Sequence, residues 1–339
     1  MQFKDVVGQH IIQEKLINER NSGRIPHAQL FIGPKGSGGM SLALAYAQFV
    51  NCENPLEDDS CGTCSSCIKA SKMIHPDIHF AFPVISKKSG KASISNDFIT
   101  DFRSFMLKEP YQDIYQWLQY IHADNKQGNI TVDECREIIR RLALKTYEGK
   151  HKVMIIWMPE YLGHIGNVLL KIIEEPNINS HFILISHDNK KLLPTIKSRS
   201  FQIKFNNFKK SDFLSVLNEI DDLKTTDHSY LYELTRGSLD ISRSYINNDF
   251  RDIDDHLQKI YEDKNNIKSN TAYHYISFLN NKGGDKALII SFFDYLILKK
   301  ILFIKNSIKS LHYSKIDRFI SMTNELKKLK ERYITFNLS

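Results

Sequence analysis

The sequence predicts an α/β domain of the phosphate-loop type, followed by a small helical region and an all-helical C-terminal domain. Near the N-terminus, a glycine-rich loop at residues 33–41 joins an apolar strand to a helix. Two further apolar strands, at 152–157 and 181–186, alternate with helical patterns, as is typical of a parallel sheet. Beyond residue 206 the pattern is helical throughout. These observations together predict the fold class.

Composition and charge place few limits on the function. The 339 residues are enough for two or three domains, and 42% hydrophobic with 25% charged residues is ordinary for a globular chain. The net charge of +7 equals the local excess over residues 299–332, and it permits contact with nucleic acid without establishing it. No apolar run could span a bilayer, and the first residues lack a signal-peptide core. We therefore expect a cytoplasmic protein with reduced thiols and no membrane partner.

The glycine loop keeps the outline of G-x-x-x-x-G-K-[ST] without its working groups. Gly33 and Gly38 match the two glycines and Gly36 lies between them, but Gly39 holds the lysine position and Met40 the Ser/Thr position. The missing lysine would reach the β/γ-phosphates, and the missing hydroxyl would bind Mg²⁺. The four glycines therefore predict a degenerate nucleotide loop, and we expect this chain neither to bind nor to hydrolyse ATP.

A second lesion lies at the end of the strand at 152–157. In a working phosphate-loop ATPase that strand ends in an acidic pair, which holds Mg²⁺ and polarises water. The matching positions here are Trp157 and Met158. Glu160 is acidic but out of register, and we interpret it as a solvated loop residue.

Four cysteines follow the first helix with the spacing C-x8-C-x2-C-x2-C: Cys52, Cys61, Cys64 and Cys67. Four thiolates suit tetrahedral Zn²⁺, and a closed four-sulfur shell is structural. Disulfides and an iron–sulfur cluster are the alternatives. The fifth cysteine, Cys135, lies in a helical pattern, which favours a buried apolar residue.

Between the cysteines and the next clear helix, residues 68–130 are less regular. His75 and His79 flank a turn that leads into a strand at 78–82; we prefer the turn to a metal pair, because no third ligand has a recognisable spacing. The aromatic-rich stretch 98–122 predicts helices packed on the domain. Thr131 predicts the N-cap of a helix that extends to about Tyr147.

Two motifs in the second half are the most specific. A helix ends at Glu175, ahead of Pro176, and the segment 192–200 reads Leu-Leu-Pro-Thr-Ile-Lys-Ser-Arg-Ser. They resemble the N-x-L-L-K-x-x-E-E-P helix and the L-P-T-I-x-S-R-C segment of bacterial clamp-loader subunits, an AAA+ family. The four-cysteine module resembles that family's zinc module. The resemblance covers about 1–245, apart from 68–130.

The resemblance implies a domain plan. It comprises an AAA+ α/β domain over 1–206, with a zinc module at about 52–67 and an insertion at about 68–130. A helical lid at 207–247 and a helical collar at 248–339, used for oligomerisation, follow.

It also implies a function in DNA replication. The chain would act in the clamp loader of DNA polymerase III, a nucleotidyltransferase assembly. Its partners would be ATPase subunits and a delta subunit, and through them the sliding clamp and primer–template DNA. Arg199 would be an arginine finger for a neighbouring ATP site, since a guanidinium fork matches phosphate oxygens. The alternative is that Arg199 pairs with a local carboxylate.

Departures from the family pattern indicate a member that is not an enzyme by itself. Asp240 stands where a sensor arginine follows the Gly-Ser of the lid, whereas Ser200, which replaces the cysteine of S-R-C, is tolerable because the arginine is the working residue. Two other functions stay open at this point. One is an independent AAA+ ATPase of DNA repair or recombination, against which Gly39, Trp157 and Asp240 argue. The other is a zinc-dependent nucleic-acid-binding protein, against which the segment 152–205 argues.

Overall fold

A computed structural model describes residues 1–87, 92–108, 111–123, 126–220 and 227–247, with short stretches between 293 and 330. The chain divides into two units, 1–208 and 209–339, which are described separately. The predicted collar at 248–339 lies outside the described residues, apart from the short stretches. Among the described helices, none is long and apolar enough to cross a membrane.

The first unit is built on a five-stranded parallel sheet, as the sequence predicts. Its strands are β1 (Ala28–Ile32), β2 (Ile78–Ala81), β3 (Lys152–Trp157), β4 (Ser180–Ser186) and β5 (Phe201–Lys204). The spatial order is β2-β3-β4-β1-β5, and every neighbouring pair is parallel. The glycine loop, the residues after β3 and the residues after β4 therefore share one edge of the sheet, which is where ligands bind in such folds.

Helices cover both faces of the sheet, which is why its central strands read as continuous apolar runs. The helices of this unit are α1 (His10–Asn21), α2 (Gly39–Asn51), α3 (Ser65–Ser71), α4 (Ile99–Lys108), α5 (Ile114–Tyr120), α6 (Val132–Ala143), α7 (Leu170–Glu174) and α8 (Pro194–Ser198). A 3₁₀ segment, Pro159–Leu169, links β3 to α7. The predicted start and end of α1 and β3 agree with the structure.

Helix α6 is shorter than predicted. Thr131 caps it as expected, since its side chain accepts a hydrogen bond from the backbone N–H of Glu134, but the helix ends at Ala143, and Leu144 is 58% exposed. The buried Lys152 explains this end. Its Nζ donates to the carbonyl oxygens of Arg141, Leu144 and Lys145 at 3.0, 2.6 and 2.9 Å. A side chain from β3 thus satisfies one carbonyl in the last turn of the helix and two carbonyls of the residues that follow it.

The second unit contains three short helices in its described N-terminal part: α9 (Lys210–Ile220), α10 (His228–Thr235) and α11 (Leu239–Asn247). These three helices fall within the region 207–247, for which the sequence predicts helical structure. Asp227 caps α10 by accepting from the backbone N–H groups of Ser229 and Tyr230. The assignment of this region as a lid stays a prediction.

The turn between α6 and β3 is held by Asp77, the residue before β2. Its carboxylate accepts hydrogen bonds from the backbone N–H groups of Tyr147, Glu148 and Gly149 at 2.7, 2.9 and 2.7 Å. Burial alone would raise the pKa of Asp77, but these three donors outweigh burial and lower the pKa. The turn into β2 that the sequence predicts is closed by the backbone N–H of Ile78, which donates to the carbonyl oxygen of His75 at 3.2 Å, and Asp77 has a structural role there.

We predict that Asp77→Asn lowers the free energy of unfolding by about 2 kcal/mol, because hydrogen bonds to a charged acceptor are stronger than those to an amide. Both tryptophans, Trp117 and Trp157, are buried in the first unit, so their fluorescence during denaturant unfolding reports on it. The folded-state pKa is depressed, so the stabilisation is present above the ordinary aspartate pKa and is lost as the pH falls. The difference between the two proteins should therefore shrink in acid. Asp101→Asn, at an exposed position, is the matched control, and equal unfolding curves for the two variants would contradict the prediction.

Candidate functional site

The glycine loop has the strand–loop–helix geometry that its sequence predicts. Gly36 and Gly38 have positive φ angles of 70° and 89°, and Gly38 is the N-cap of α2. A methyl group at Gly33 would come within 2.4 Å of the Cβ atom of Phe205. Glycine is therefore required at position 33 by packing against the residue after β5, whether or not a phosphate binds.

Side chains of the segment 111–115 lie against this loop. The ring of Tyr111 lies 3.3 Å from the position of a Cβ atom built on Gly38, and its hydroxyl accepts a hydrogen bond from the backbone N–H of Val7 at 3.1 Å. The Nζ atom of Lys35 is 3.4 Å from the Oδ2 atom of Asp113 and 4.1 Å from the centre of the Tyr115 ring. Lys35 is the loop's one cation in the sequence, and it is engaged by the protein itself.

The positions of the missing acidic pair belong to the core. Trp157 and Met158 are 1% and 3% exposed. The ring of Trp157 packs on Phe102 of α4, with 5.7 Å between ring centres. A carboxylate at position 157 would be buried against an aromatic ring, which is costly without a partner. The structure thus places an aromatic contact where a magnesium ligand would stand.

Glu160 differs from its prediction as a solvated loop residue. Its Oε1 atom accepts hydrogen bonds from the backbone N–H groups of His187 and Asp188 at 3.1 and 3.2 Å. Its Oε2 atom is buried and has no hydrogen-bond partner among the described residues. The Nδ1 atom of His187 lies 3.0 Å from the carbonyl oxygen of Gly33, and burial lowers the pKa of this histidine. Glu160 therefore fastens the residues after β4 to those after β3.

The four predicted cysteines come together, although they are spread over sixteen positions of sequence. Their sulfur atoms all lie within 4.8 Å of one another. A tetrahedral site with Zn–S bonds of about 2.3 Å needs sulfur atoms about 3.8 Å apart, so the cluster fits a zinc ion after a small contraction. Cys52 directly follows α2, and Cys64 is the N-cap of α3, so two helix ends fix the spacing.

Backbone N–H groups point at the sulfur atoms, as a thiolate cluster requires. The N–H groups of Cys61, Cys64 and Cys67 donate to the Sγ atoms of Cys52, Cys61 and Cys64 at 3.2, 3.3 and 3.4 Å. The N–H donors of Thr63 and Cys64 lower the pKa of Cys61 to about 6, whereas burial raises the pKa of Cys52 and Cys67. Cys135 lies apart, fully buried in α6, as predicted.

Arg199 lies at the C-terminal end of α8 and is paired within the chain. Its Nε atom is 2.9 Å from the Oε1 atom of Glu174, and its Nη1 atom donates to the carbonyl oxygen of Thr195 at 3.2 Å. The two side chains of the ion pair are 31% and 51% exposed. The structure therefore shows the local pairing that the sequence left open as an alternative, at a position that solvent still reaches.

Sequence reasoning missed the residues that cover the loop. Tyr111 and Asp113 lie far along the chain from Gly38, and no motif links the two segments. The sequence did show that Glu160 is an acidic residue close to the end of β3. Its hydrogen-bond partners, however, are backbone groups that only the folded chain brings near.

A parallel sheet of this order, with a glycine loop between β1 and α2, defines an AAA+-type domain. A profile for the family described as "DNA polymerase III, delta subunit" matches residues 8–209, more than half of the chain. The chain belongs to this family, within the AAA+ clamp-loader proteins of DNA polymerase III.

Curated relatives are also DNA polymerase III subunits. The chain is 29% identical to subunit tau of Bacillus subtilis over 252 residues, which cover 74% of this chain and 36% of that protein. It is 26% identical to subunit gamma of Buchnera aphidicola over 282 residues, 83% of this chain and 64% of that protein. It is 28% identical to subunit delta' of Pseudomonas aeruginosa over 177 residues, 52% and 42% respectively. The matches thus span between about a third and two thirds of these relatives' lengths.

Proposed function

We propose that this chain is a delta-prime-like subunit of the DNA polymerase III clamp loader that hydrolyses no ATP itself. In this role it assembles with ATPase subunits and a delta subunit, and it supports ATP-driven loading of the sliding clamp onto primer–template DNA. Arg199 acts on the ATP site of a neighbouring subunit. Membership of the clamp-loader family argues against an unrelated zinc-dependent nucleic-acid-binding protein.

The proposal is carried by the contacts that the chain itself makes at its glycine loop and at the end of β3. A phosphate would approach the N-terminus of α2, where backbone N–H groups converge. Tyr111 lies against Gly38 at that point, and Lys35 is held by Asp113 and Tyr115. Trp157 stands in place of the magnesium-binding carboxylate. These contacts favour a non-catalytic subunit over an independent repair ATPase. Such an ATPase needs the lysine, the hydroxyl and the acidic pair that this sequence lacks.

We predict that the isolated chain releases no phosphate from ATP. Gly39→Lys combined with Met40→Thr should not restore turnover, because Trp157 and Met158 still cannot organise Mg²⁺ and water. A side chain at Gly39 also meets the Cγ2 atom of Ile185 at 3.1 Å from its Cβ position. Steady-state phosphate release and a nucleotide titration measure both claims, with an ATPase subunit of the same assembly as the positive control. Robust turnover by the contaminant-free, unmodified chain would overturn the proposal.

The cysteine cluster is proposed as a structural zinc site. All four ligand positions are thiolates from this chain, which leaves no open position for water or substrate. Bound zinc would supply folding free energy to the segment that joins α2 to α3. That segment also supports the N-terminus: the carboxylate of Asp59 accepts from the backbone N–H groups of Phe3 and Lys4 at 3.0 and 3.1 Å.

We predict one Zn²⁺ per chain in freshly purified protein. Cys67→Ser should release the metal and lower the thermal midpoint, because the remaining three thiolates cannot close a tetrahedral shell. Cys135→Ala is the matched control, since it removes a cysteine outside the cluster and should keep the metal. Elemental analysis and thermal unfolding of the three proteins provide the measurement. Metal-free wild-type protein of the same stability would show that the cluster is not a zinc site.

The pairing of Arg199 with Glu174 is compatible with a role in trans. An exposed ion pair contributes about 0–1 kcal/mol, so a neighbour's phosphate can displace the carboxylate at little cost. A phosphate also offers the guanidinium a bidentate partner of higher charge. Glu174 would then hold Arg199 in place until the assembly presents ATP.

We predict that Arg199→Ala lowers DNA-stimulated ATP hydrolysis about 10-fold or more at the one site that it serves, because a trans-acting arginine stabilises the transferred phosphoryl group. Folding, zinc content and subunit assembly should be nearly unchanged, and Arg199→Lys should also be impaired, since an ammonium lacks the planar fork. Steady-state ATPase and clamp-loading assays on reconstituted complexes give the rates.

Glu174→Gln separates the two roles of the arginine. If Arg199 acts only through its ion pair, this variant should be as defective as Arg199→Ala. If Arg199 acts on a neighbour's ATP, Glu174→Gln complexes should retain their activity. Arg199→Ala complexes that assemble and load clamps at the unmodified rate would refute the arginine-finger assignment.

A further inference from the structure

A basic pocket lies at the edge of the sheet opposite the glycine loop, where the strands begin. It has a volume of about 330 Å³ and is lined by the C-terminal ends of α1 and α2 and the turns before β3 and β4. Its polar side chains are Arg20, Lys150, His151, Asn179 and His181. Within the described residues, none of those lining it is a carboxylate. The function proposed above uses none of these groups.

The two histidines form a defined hydrogen-bonded pair. The Nδ1 atom of His151 lies 3.0 Å from the Nε2 atom of His181, whose Nδ1 atom lies 3.2 Å from the carbonyl oxygen of Pro26. A carbonyl only accepts, so Nδ1 of His181 carries a proton and Nε2 of a neutral His181 accepts one from His151. This order leaves Nε2 of His151 able to take up a proton without breaking the pair.

Among the described residues that line the pocket, the charged groups near the pair are both cations, Arg20 and Lys150. Burial, followed by the charges of His181, Arg20 and Lys150, lowers the pKa of His151 to about 4. Burial also lowers the pKa of His181; the Pro26 carbonyl opposes this and His27 adds to it. The guanidinium of Arg20 lies over the ring of Phe49, 4.8 Å from the ring centre, and this contact holds the side chain in place. The pocket thus brings together the positive charges of Arg20 and Lys150 and a histidine, His151, that can take up a further proton.

The geometry points to a phosphate-binding pocket formed by Arg20, Lys150, His151 and His181. A dianion supplies the charge that these residues lack and accepts hydrogen bonds from a guanidinium, an ammonium and an imidazolium. The two cations flank the histidine pair, and Asn179 adds an amide donor at the same rim. The phosphate belongs either to a nucleic-acid backbone or to a free small molecule; both present the same group to the pocket.

Sulfate is a suitable first probe because its charge stays constant near neutral pH. Calorimetric titration of the full-length protein at constant ionic strength should show binding that Lys150→Glu weakens by at least about 10-fold, which corresponds to about 1.4 kcal/mol. Lys108→Glu, at an exposed lysine of α4 outside the pocket, is the matched control and should bind as the unmodified protein does. Both positions are exposed, so folding should be unaffected. The absence of measurable binding, or equal affinity of the two variants, would overturn the proposal.

The pH dependence provides a second readout. A bound dianion favours protonated His151, whose pKa is about 4 without the anion, so sulfate affinity should rise as the pH falls from about 7 toward about 4. His151→Gln should bind sulfate at neutral pH and lose this rise. An unchanged rise in that variant would remove His151 from the site.

The same variants distinguish the two sources of the phosphate. If it belongs to nucleic acid, Lys150→Glu should weaken binding of a primer–template duplex and reduce its salt dependence, whereas Lys108→Glu should change neither. If only sulfate and inorganic phosphate respond to Lys150→Glu, the ligand is a free phosphate compound. No response with any probe contradicts the pocket as a phosphate site.

Discussion

The aromatic cluster that fastens the segment 68–130 to the sheet is the contact on which the rest of the first unit depends. Phe102 stacks on Phe82 with 3.8 Å between ring centres, Trp117 meets both rings edge-on at 5.3 Å, and Trp157 closes the cluster from the end of β3. Large rings buried together supply much of a core's stabilisation. Trp157 stands where the sequence comparison with phosphate-loop ATPases places an acidic residue, so the packing of this segment uses the very position at which that motif lacks its acid. The same segment brings Tyr111 and Asp113 to the glycine loop.

The two edges of the sheet are correspondingly different. At the carboxyl edge, the residues after β1, β3 and β4 are bound to one another: His187 meets the carbonyl of Gly33, and Glu160 accepts from the backbone after β4. Lys35 of the glycine loop is likewise engaged by Asp113 and Tyr115. At the amino edge, cations and histidines line an open pocket, and none of the described residues that line it is a carboxylate. Buried or crowded charge of one sign is stabilised only by a partner of the other sign. The carboxyl edge is therefore occupied by side chains of the chain itself, whereas the charged side chains that line the pocket at the amino edge are cations.

Local pattern predicted a large part of the fold. The helix at 10–21, the strand at 152–157 and the glycine loop follow from apolar periodicity and glycine placement, which depend on neighbours in sequence. The spacing of the four cysteines likewise predicted their cluster, because short C-x2-C turns constrain geometry locally. The predicted end of α6 was wrong by about one turn, because Lys152, a residue of strand β3, determines where the helix ends. The prediction that Glu160 is a solvated loop residue was wrong for the same reason, because its hydrogen-bond partners lie after β4.

The sequence by itself determined the class of domain, the loss of the lysine, hydroxyl and acidic pair, and the position of Arg199 after a buried strand, because each of these is a matter of residue type at a fixed local spacing. Only the tertiary structure decided which side chains contact these positions: Tyr111 at the glycine loop, Phe102 against Trp157, and Glu174 beside Arg199. It alone also brought His151 and His181 together from two strand ends thirty residues apart in sequence. Contacts of this kind depend on how distant segments meet across a packed core, and that information is spread over the whole chain, so no short pattern of residues contains it.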